Sequence, residues 1–243
     1  MIPVFYDLHI HSALSPCASD DMTPNDIVGM ALLNGLDMIA VTDHNSLSNS
    51  EAVIKAAQAA RIQTGKELIV LPGVEISTVE EVHVICLFND LESAMSFDNE
   101  ITPYYSTLSN RIDIFGNQIL YDEEDRAIGE LERMLIAPTT ISFDDLYKMV
   151  HKFHGAFIPA HIDRSSFSVI SNLGFIPPHL RISTIEISPL GAENGFDIHN
   201  ADKIGNRKTI FSSDAHQLWA ISERRKSISL PSRTAEAAIN FLR

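Results

Sequence analysis

Cysteine is scarce in this chain. Its 243 residues hold two, Cys17 and Cys86, and they form no spaced motif. A disulfide framework is thereby excluded, and the expectation is two free, buried thiols in a reducing cytoplasm. Positive charge is scarce as well. Eighteen Lys and Arg stand against 32 Asp and Glu, a formal charge of −14. Broad binding to duplex nucleic acid needs cations to displace counterions, so this balance argues against it. It leaves room for a nucleotide or a short oligonucleotide held through metal ions. No stretch approaches the roughly 20 apolar residues of a membrane span. Met1–Asp7 lacks the basic and apolar regions of a secretory leader. There is no internal repeat and no low-complexity linker. The expectation is a soluble cytoplasmic protein, read as a single domain over 1–243.

What is present is a rhythm of short apolar strands and helices. Val4–Ile10, Met38–Thr42, Leu68–Ile76 and Val82–Phe88 read as strands. Helices are predicted from Pro24 to Asn34, capped by Thr23, and from Ser50 to about Thr64, stopped by Gly65. The rhythm breaks over 89–141, where acidic and turn residues dominate. Ile114–Tyr121 and Ala127–Leu135 there suggest a hairpin. That insertion is either a surface elaboration or a cap over the site. A helix over Phe143–His154, strands at Ala156–Ala160, Ile182–Ile187 and Thr209–Ser212, and a helix over Thr234–Leu242 follow. Seven core strands in βα units imply an α/β protein with a mostly parallel sheet.

Histidines and carboxylates gather at the ends of these strands. His9 and His11 lie one residue apart, and the two-residue strand period puts both on one face. Thr42-Asp43-His44, Glu75 followed by His83, Pro159-Ala160-His161 and Ser213-Asp214-Ala215-His216 occupy similar positions. Glu75 would be costly to bury unpaired, and its two oxygens can bridge two ions, which an imidazole cannot do. Asp43 and His44, being adjacent, face opposite ways. His44 is therefore expected to bind metal and Asp43 to orient a ligand by hydrogen bonding. His151, His154, His179 and His199 fall on predicted helix or loop surface and are given no chemical role. Five strand ends aimed at one point would hold a cluster of ions, and the chain reads as a metal-dependent hydrolase.

These motifs, in this order, resemble those of the PHP superfamily, named for polymerase and histidinol phosphatase. The likeness covers Tyr6 to about Leu218, apart from the insertion. It implies a distorted (β/α)7 barrel with the inserted α+β or hairpin segment, and a site at the C-terminal ends of the strands. It also implies three divalent ions, Zn, Mn or Fe. Carried over by motif, one ion takes His9, His11, Glu75 and Asp214. A second takes Glu75, His83 and His161. A third takes His44, His216 and one residue after the first motif. For that last position Asp20, in Ser19-Asp20, is the first choice and Cys17 the alternative.

Arg164, three residues beyond His161, could grip a phosphate bidentately or serve as a surface ion pair. Arg224 and Arg225 are weaker candidates. The expected reaction is phosphoester hydrolysis by a metal-activated hydroxide, with His216 or Asp214 assisting proton transfer and Arg164 placing the phosphate. A small phosphomonoester or nucleotide phosphate is the leading substrate. An exonuclease or oligonucleotide phosphodiesterase activity comes second. An amidohydrolase-like C–N hydrolase and a non-catalytic metal-binding module are further alternatives.

Overall fold

The computed structural model describes residues 1–243. The predicted strands form, with shifted bounds: β1 (Ile2–Ile10), β2 (Met38–Val41), β3 (Ile69–Ser77) and β4 (His83–Leu87). The insertion contributes β5 (Ile119–Tyr121) and β6 (Ala127–Glu130), and the later strands are β7 (Ala156–Pro159), β8 (Thr184–Glu186), β9 (Lys208–Ile210) and β10 (Ser227–Leu230). The main helices before the insertion are α1 (Pro24–Leu33) and α2 (Ser50–Thr64). The Thr23 hydroxyl caps α1, and Gly65, left-handed at φ 72°, ends α2. Further helices are α3 (Leu91–Ile101), α4 (Ile112–Phe115), α5 (Phe143–Lys152), α6 (Val169–Leu173), α7 (Pro189–Glu193), α8 (Phe196–His199), α9 (Ala201–Ile204) and α10 (Ala235–Leu242).

Six strands make one curled sheet in the order β10-β1-β2-β3-β4-β7, and β8 pairs with β9 in parallel. Two links carry the curl around. The Ile162 N–H donates to the Glu186 carbonyl on the β7 side, and Ile10 bridges Ala215 on the β1 side. The result is the distorted (β/α)7 barrel. Val4, Tyr6, Leu8, Met38, Ala40, Leu71, Ile85, Ile158 and Ile210 are buried together, and Ala238, Ile239 and Leu242 of α10 pack against them.

The sheet is less parallel than expected. β4 runs antiparallel to both β3 and β7. Only five residues, 78–82, separate β3 from β4, too few for a crossover helix, so the chain must turn back as a hairpin. The reversal serves the site. It pairs Ser77 with His83, which brings the start of β4 to the same end of the barrel as Glu75 near the end of β3. β10, which the sequence reading omits, pairs antiparallel with the first half of β1.

The insertion grips the loops at that end. Within it the hairpin is shorter than expected, Ile119–Tyr121 against Ala127–Glu130. The Ile119 N–H donates to the Ala13 carbonyl, and the Tyr121 N–H to the Asn49 side chain. Asn117 donates to the Asp20 carboxylate at 2.8 Å, and the Tyr121 hydroxyl to the Asp20 carbonyl. Further along, Arg133 donates to the Asn45 carbonyl at 2.7 Å, and Asn45 donates to the Leu135 carbonyl at 2.6 Å.

Candidate metal centre

Seven side chains from five strand ends converge on the Glu75 carboxylate. Glu75 is 1% exposed. Its Oε1 lies 3.0 Å from His83 Nδ1, 3.3 Å from His161 Nε2 and 3.4 Å from His9 Nε2. Its Oε2 lies 2.9 Å from His44 Nδ1 and 3.5 Å from His11 Nε2. Asp214 Oδ1 stands 3.3 Å from His9 Nε2 and 3.1 Å from His11 Nε2. His216 stacks on His11 with ring centroids 4.3 Å apart.

Three sets of ligand atoms are close enough to share an ion: His9, His11 and Asp214; His44, Glu75 and His83; and His11, His44 and His216. His44 thus stands between two of these sets.

A ring of hydrogen bonds behind the centre aims the imidazoles. His9 Nδ1 lies 3.0 Å and 3.2 Å from the two Glu186 oxygens. A carboxylate only accepts, so Nδ1 carries the hydrogen and Nε2 points into the centre. Glu186 also accepts from the His161 N–H at 3.0 Å, joining two loops of the site.

Asp43 works one hydroxyl away. It accepts from the Ser12 N–H at 2.8 Å, the Ser12 hydroxyl at 2.6 Å and the Ser15 hydroxyl at 2.7 Å. Having donated to Asp43, Ser15 accepts from His11 Nδ1 at 2.9 Å, which turns His11 Nε2 inward. On β1, the buried Asp7 accepts from the Ser213 and Ser222 N–H groups and pins the Asp214–His216 loop. Sequence reasoning misses Glu186, Ser15 and Asp7. The one available signal is Glu186 at the end of Thr184-Ile185-Glu186, a carboxylate closing an apolar strand.

Backbone strain marks the same rim. Asn45, His161, Phe167 and Asp214 take left-handed conformations at φ 48°, 29°, 55° and 53°. Non-glycine residues rarely do so, and such residues cluster at functional sites.

The electrostatics call for a cation. Burial disfavours a charged His9, yet the carboxylates of Glu186, Asp214 and Glu75 outweigh it and hold the imidazole well above its usual range. Burial likewise opposes charge on His44, but Glu75 raises it to about 10. His11 goes the other way, driven well below its usual range by burial and by the charges of His44 and His216. The surrounding His83, His9 and His44 hold Glu75 low against its burial. His9 Nε2 and His11 Nε2 face each other at 3.1 Å, and two ring nitrogens so close need a proton or a cation between them. Glu75 Oε2 is fully buried, and the His44 nitrogen 2.9 Å away is not aligned on it as a hydrogen-bond donor. A buried carboxylate oxygen with no aligned donor, ringed by imidazoles, fits bound divalent ions and their mixed nitrogen and oxygen ligation.

Two residues lie elsewhere than expected. Asp20 is exposed, accepts from Asn117 and belongs to none of the three ligand sets. Cys17 is also outside the three ligand sets, but His216 and His44 are near enough to act on its thiol. Nor is Cys17 buried, although Cys86 is. Solvent reaches Cys17, yet its neighbours crowd it. Their desolvation would raise the thiol, but His216 and His44 bring it down to about 7. Arg164 pairs with Asp214 at 2.7 Å rather than with Asp163, which accepts from Ser188. Its guanidinium is half-exposed at the rim. Arg224 reaches back to Gly35 and Asp37, and Arg225 pairs with Glu223. His151 and His179 bond to Tyr147 and Asp144, and His154 and His199 are exposed.

The sequence profile of the PHP domain family matches residues 7–173. The chain belongs to the PHP domain family. A 5'-3' exoribonuclease, Rnm, of Salmonella typhimurium strain LT2 is 38% identical over 92 residues. That stretch is 36% of this chain but 29% of the relative, so the likeness spans under a third of the relative's length.

Among solved structures, the lesion-specific endonuclease PfuEndoQ from Pyrococcus furiosus superposes on 99% of the chain with a TM-score of 0.69, at 18% identity, over 56% of its own length. An endonuclease Q complex with a 27-mer duplex bearing an abasic lesion at the active site superposes on 89% of the chain, with a TM-score of 0.60 and 18% identity, over 50% of its length. These structures share the fold. No helix of the chain is long and apolar enough to cross a membrane.

Proposed function

We propose that this PHP domain is a metal-dependent phosphoric ester hydrolase acting on nucleic acid, cleaving phosphodiester bonds of an RNA or DNA strand. The observation that carries the reading is the buried Glu75 carboxylate ringed by five imidazoles, one of its oxygens with no aligned donor. The sequence alone ranks a small phosphomonoester first and a nuclease second. The likeness to Rnm, together with the fold shared with endonuclease Q, supports reversing that order. Net charge is a poor guide here, because a strand needs positive charge only where its phosphates lie. Bound ions and Arg164 supply it at the centre, so the charge of −14 does not weigh against a duplex as it would for a charge-driven binder.

We assign three ions. His9, His11, Glu75 and Asp214 hold the innermost. Glu75, His83 and His161 hold the second. His44, His216 and Cys17 hold the outermost, with His44 also facing the second. The mixed imidazole and carboxylate donors suit Zn, Mn or Fe, and the single thiol favours zinc or iron at the outer position. Divalent ions bound here would make water a nucleophile near neutral pH and offset phosphate charge. The chain's own groups do the rest. Glu186 and the Asp43–Ser15 pair fix the tautomers of His9 and His11. Arg164, held at one end by Asp214, presents its remaining N–H groups to a phosphate. His216 Nδ1 lies 2.8 Å from the Asp214 carbonyl and donates to it, which leaves Nε2 to face the outermost ion. The segment 89–141 shapes the mouth by holding the 13–21 loop.

The test is hydrolysis by the protein reconstituted with Zn²⁺, Mn²⁺ or Fe²⁺. The panel comprises single-stranded and duplex RNA and DNA alongside small phosphomonoesters. Cleavage of strands, abolished by chelation and by Asp214→Asn, is the expected result. Turnover of monoesters alone would return the reading to a small-molecule phosphatase, and no turnover of any ester would sink the enzyme reading.

A further inference from the structure

The loop after β7 carries a second recognition element. Its second residue is His161 and its fifth Arg164. Phe167 follows, 46% exposed at the rim of the centre. One face of its ring lies against the His83 imidazole, with centroids 4.8 Å apart and planes inclined by 27°. Its backbone is left-handed at φ 55°, an unfavourable state for an aromatic residue.

The loop is built to hold that state. The His83 N–H donates to the Phe167 carbonyl at 2.9 Å. The Arg164 N–H donates to the His161 carbonyl, and the Ser168 hydroxyl donates to the Arg164 carbonyl at 2.8 Å. Ser168 then caps α6 through a reciprocal bond with Ser171. A strained, anchored aromatic beside a candidate metal ligand, on the same short loop as a half-exposed arginine, is a costly arrangement for a side chain that only covers a histidine.

We propose that Phe167 is a stacking platform for a nucleobase next to the scissile phosphate, while Arg164 on the same loop receives the phosphate. The proposal rests on the nucleic-acid reading of the centre and specifies how a strand is seated there. Every nucleobase offers a π face, so the platform gives affinity with little base preference. A left-handed backbone aims the ring, and its packing on His83 makes it rigid before substrate arrives.

The test compares Phe167→Ala, Phe167→Leu and Phe167→Trp in the metal-loaded protein, each with metal content and melting temperature measured. Oligonucleotide affinity is read by fluorescence anisotropy and turnover by KM and kcat. The substrates are strands with each of the four bases at the cleaved position and the same strand with an abasic residue there. Alanine and leucine should weaken binding and raise KM on base-bearing strands by about 5- to 100-fold, with tryptophan restoring them. The wild-type preference for a base over the abasic residue should collapse in Phe167→Ala. Equal losses on both substrates, or a leucine variant as good as wild type, would overturn the platform while leaving the nuclease reading intact. Phe167-dependent binding without cleavage would overturn the nuclease reading and keep the platform. Absence of strand binding would overturn both.

Discussion

His9 and His11 meet through their Nε2 atoms at 3.1 Å, and each ring is anchored from behind, His9 by Glu186 and His11 by Ser15. Neither ring can turn away without breaking a buried hydrogen bond. The pair is therefore held in readiness for a positive charge, and what supplies that charge depends on pH.

Metal binding should release protons and tighten as pH rises. The carboxylates around His9 and His44 hold both imidazoles above their usual range. At neutral pH those protons occupy the places an ion would take, and a ligand must lose its proton to bind. Lowering the pH favours the protonated, metal-free form, and raising it favours the loaded one. Calorimetric titration of the stripped protein with Zn²⁺ in buffers of different ionisation enthalpy should show net proton release, and apparent affinity should climb with pH. A pH-independent affinity would contradict this charge exchange.

Glu186→Gln should weaken metal binding without removing a metal ligand. Glutamine keeps the shape, but its amide nitrogen cannot accept from His9 Nδ1, and its neutral oxygen stabilises the ring less. Loss of such a supporting partner costs about 10- to 100-fold in metal affinity. Competition with a chromophoric chelator would measure it. Asp43→Asn, acting through Ser15 on His11, should fall in the same range.

Cys17→Ser should lower bound metal selectively at the outer position. Metal content measured by mass spectrometry should drop in the variant, while the ions on Glu75 remain. Cobalt-substituted wild type should show a thiolate-to-cobalt charge-transfer band that the variant lacks. Alkylation offers an internal control, because Cys86 is buried and Cys17 is not. Metal should protect Cys17 from iodoacetamide, and equal labelling with and without metal would remove it from the ligand set.

Two glycines should respond to alanine with opposite sign. Gly116 has φ 98°, and a Cβ there would run into the Pro16 carbonyl, a backbone group that cannot yield. Gly116→Ala should destabilise by about 1–3 kcal/mol, lowering the melting temperature by roughly 2–12 °C at this chain length. Gly29 lies inside α1 with nothing within 4 Å of a Cβ. Gly29→Ala should stabilise by up to about 1 kcal/mol. Thermal melts of both variants would decide.

The side chains that meet at the candidate centre were legible in the sequence because strand period and strand ends make strong local statements. His9 and His11 share a face, as a spacing of two requires, and Asp43 and His44 diverge, as adjacency requires. What could not be read was set by distant chain. Asp20 and Cys17 competed on spacing alone, and the choice depends on how the 13–21 loop is held by Ile119, Asn117 and Tyr121, about 100 residues away. Glu186 stayed hidden because a lone carboxylate with no histidine beside it says little. The reversed β4 was readable in principle, since five residues between two strands allow a hairpin and no crossover.

That reversed strand has a consequence for assembly. Glu75 and His83 are eight residues apart and join through a hairpin that can close early, with little loop entropy to overcome. Asp214 and His216 reach His9 and His11 only after more than 200 residues have been laid down, through the bridge of Ile10 to Ala215. A chain still emerging during synthesis holds only half of the converging side chains. The full centre is among the last features the molecule completes, and its closure marks the meeting of the two ends of the fold.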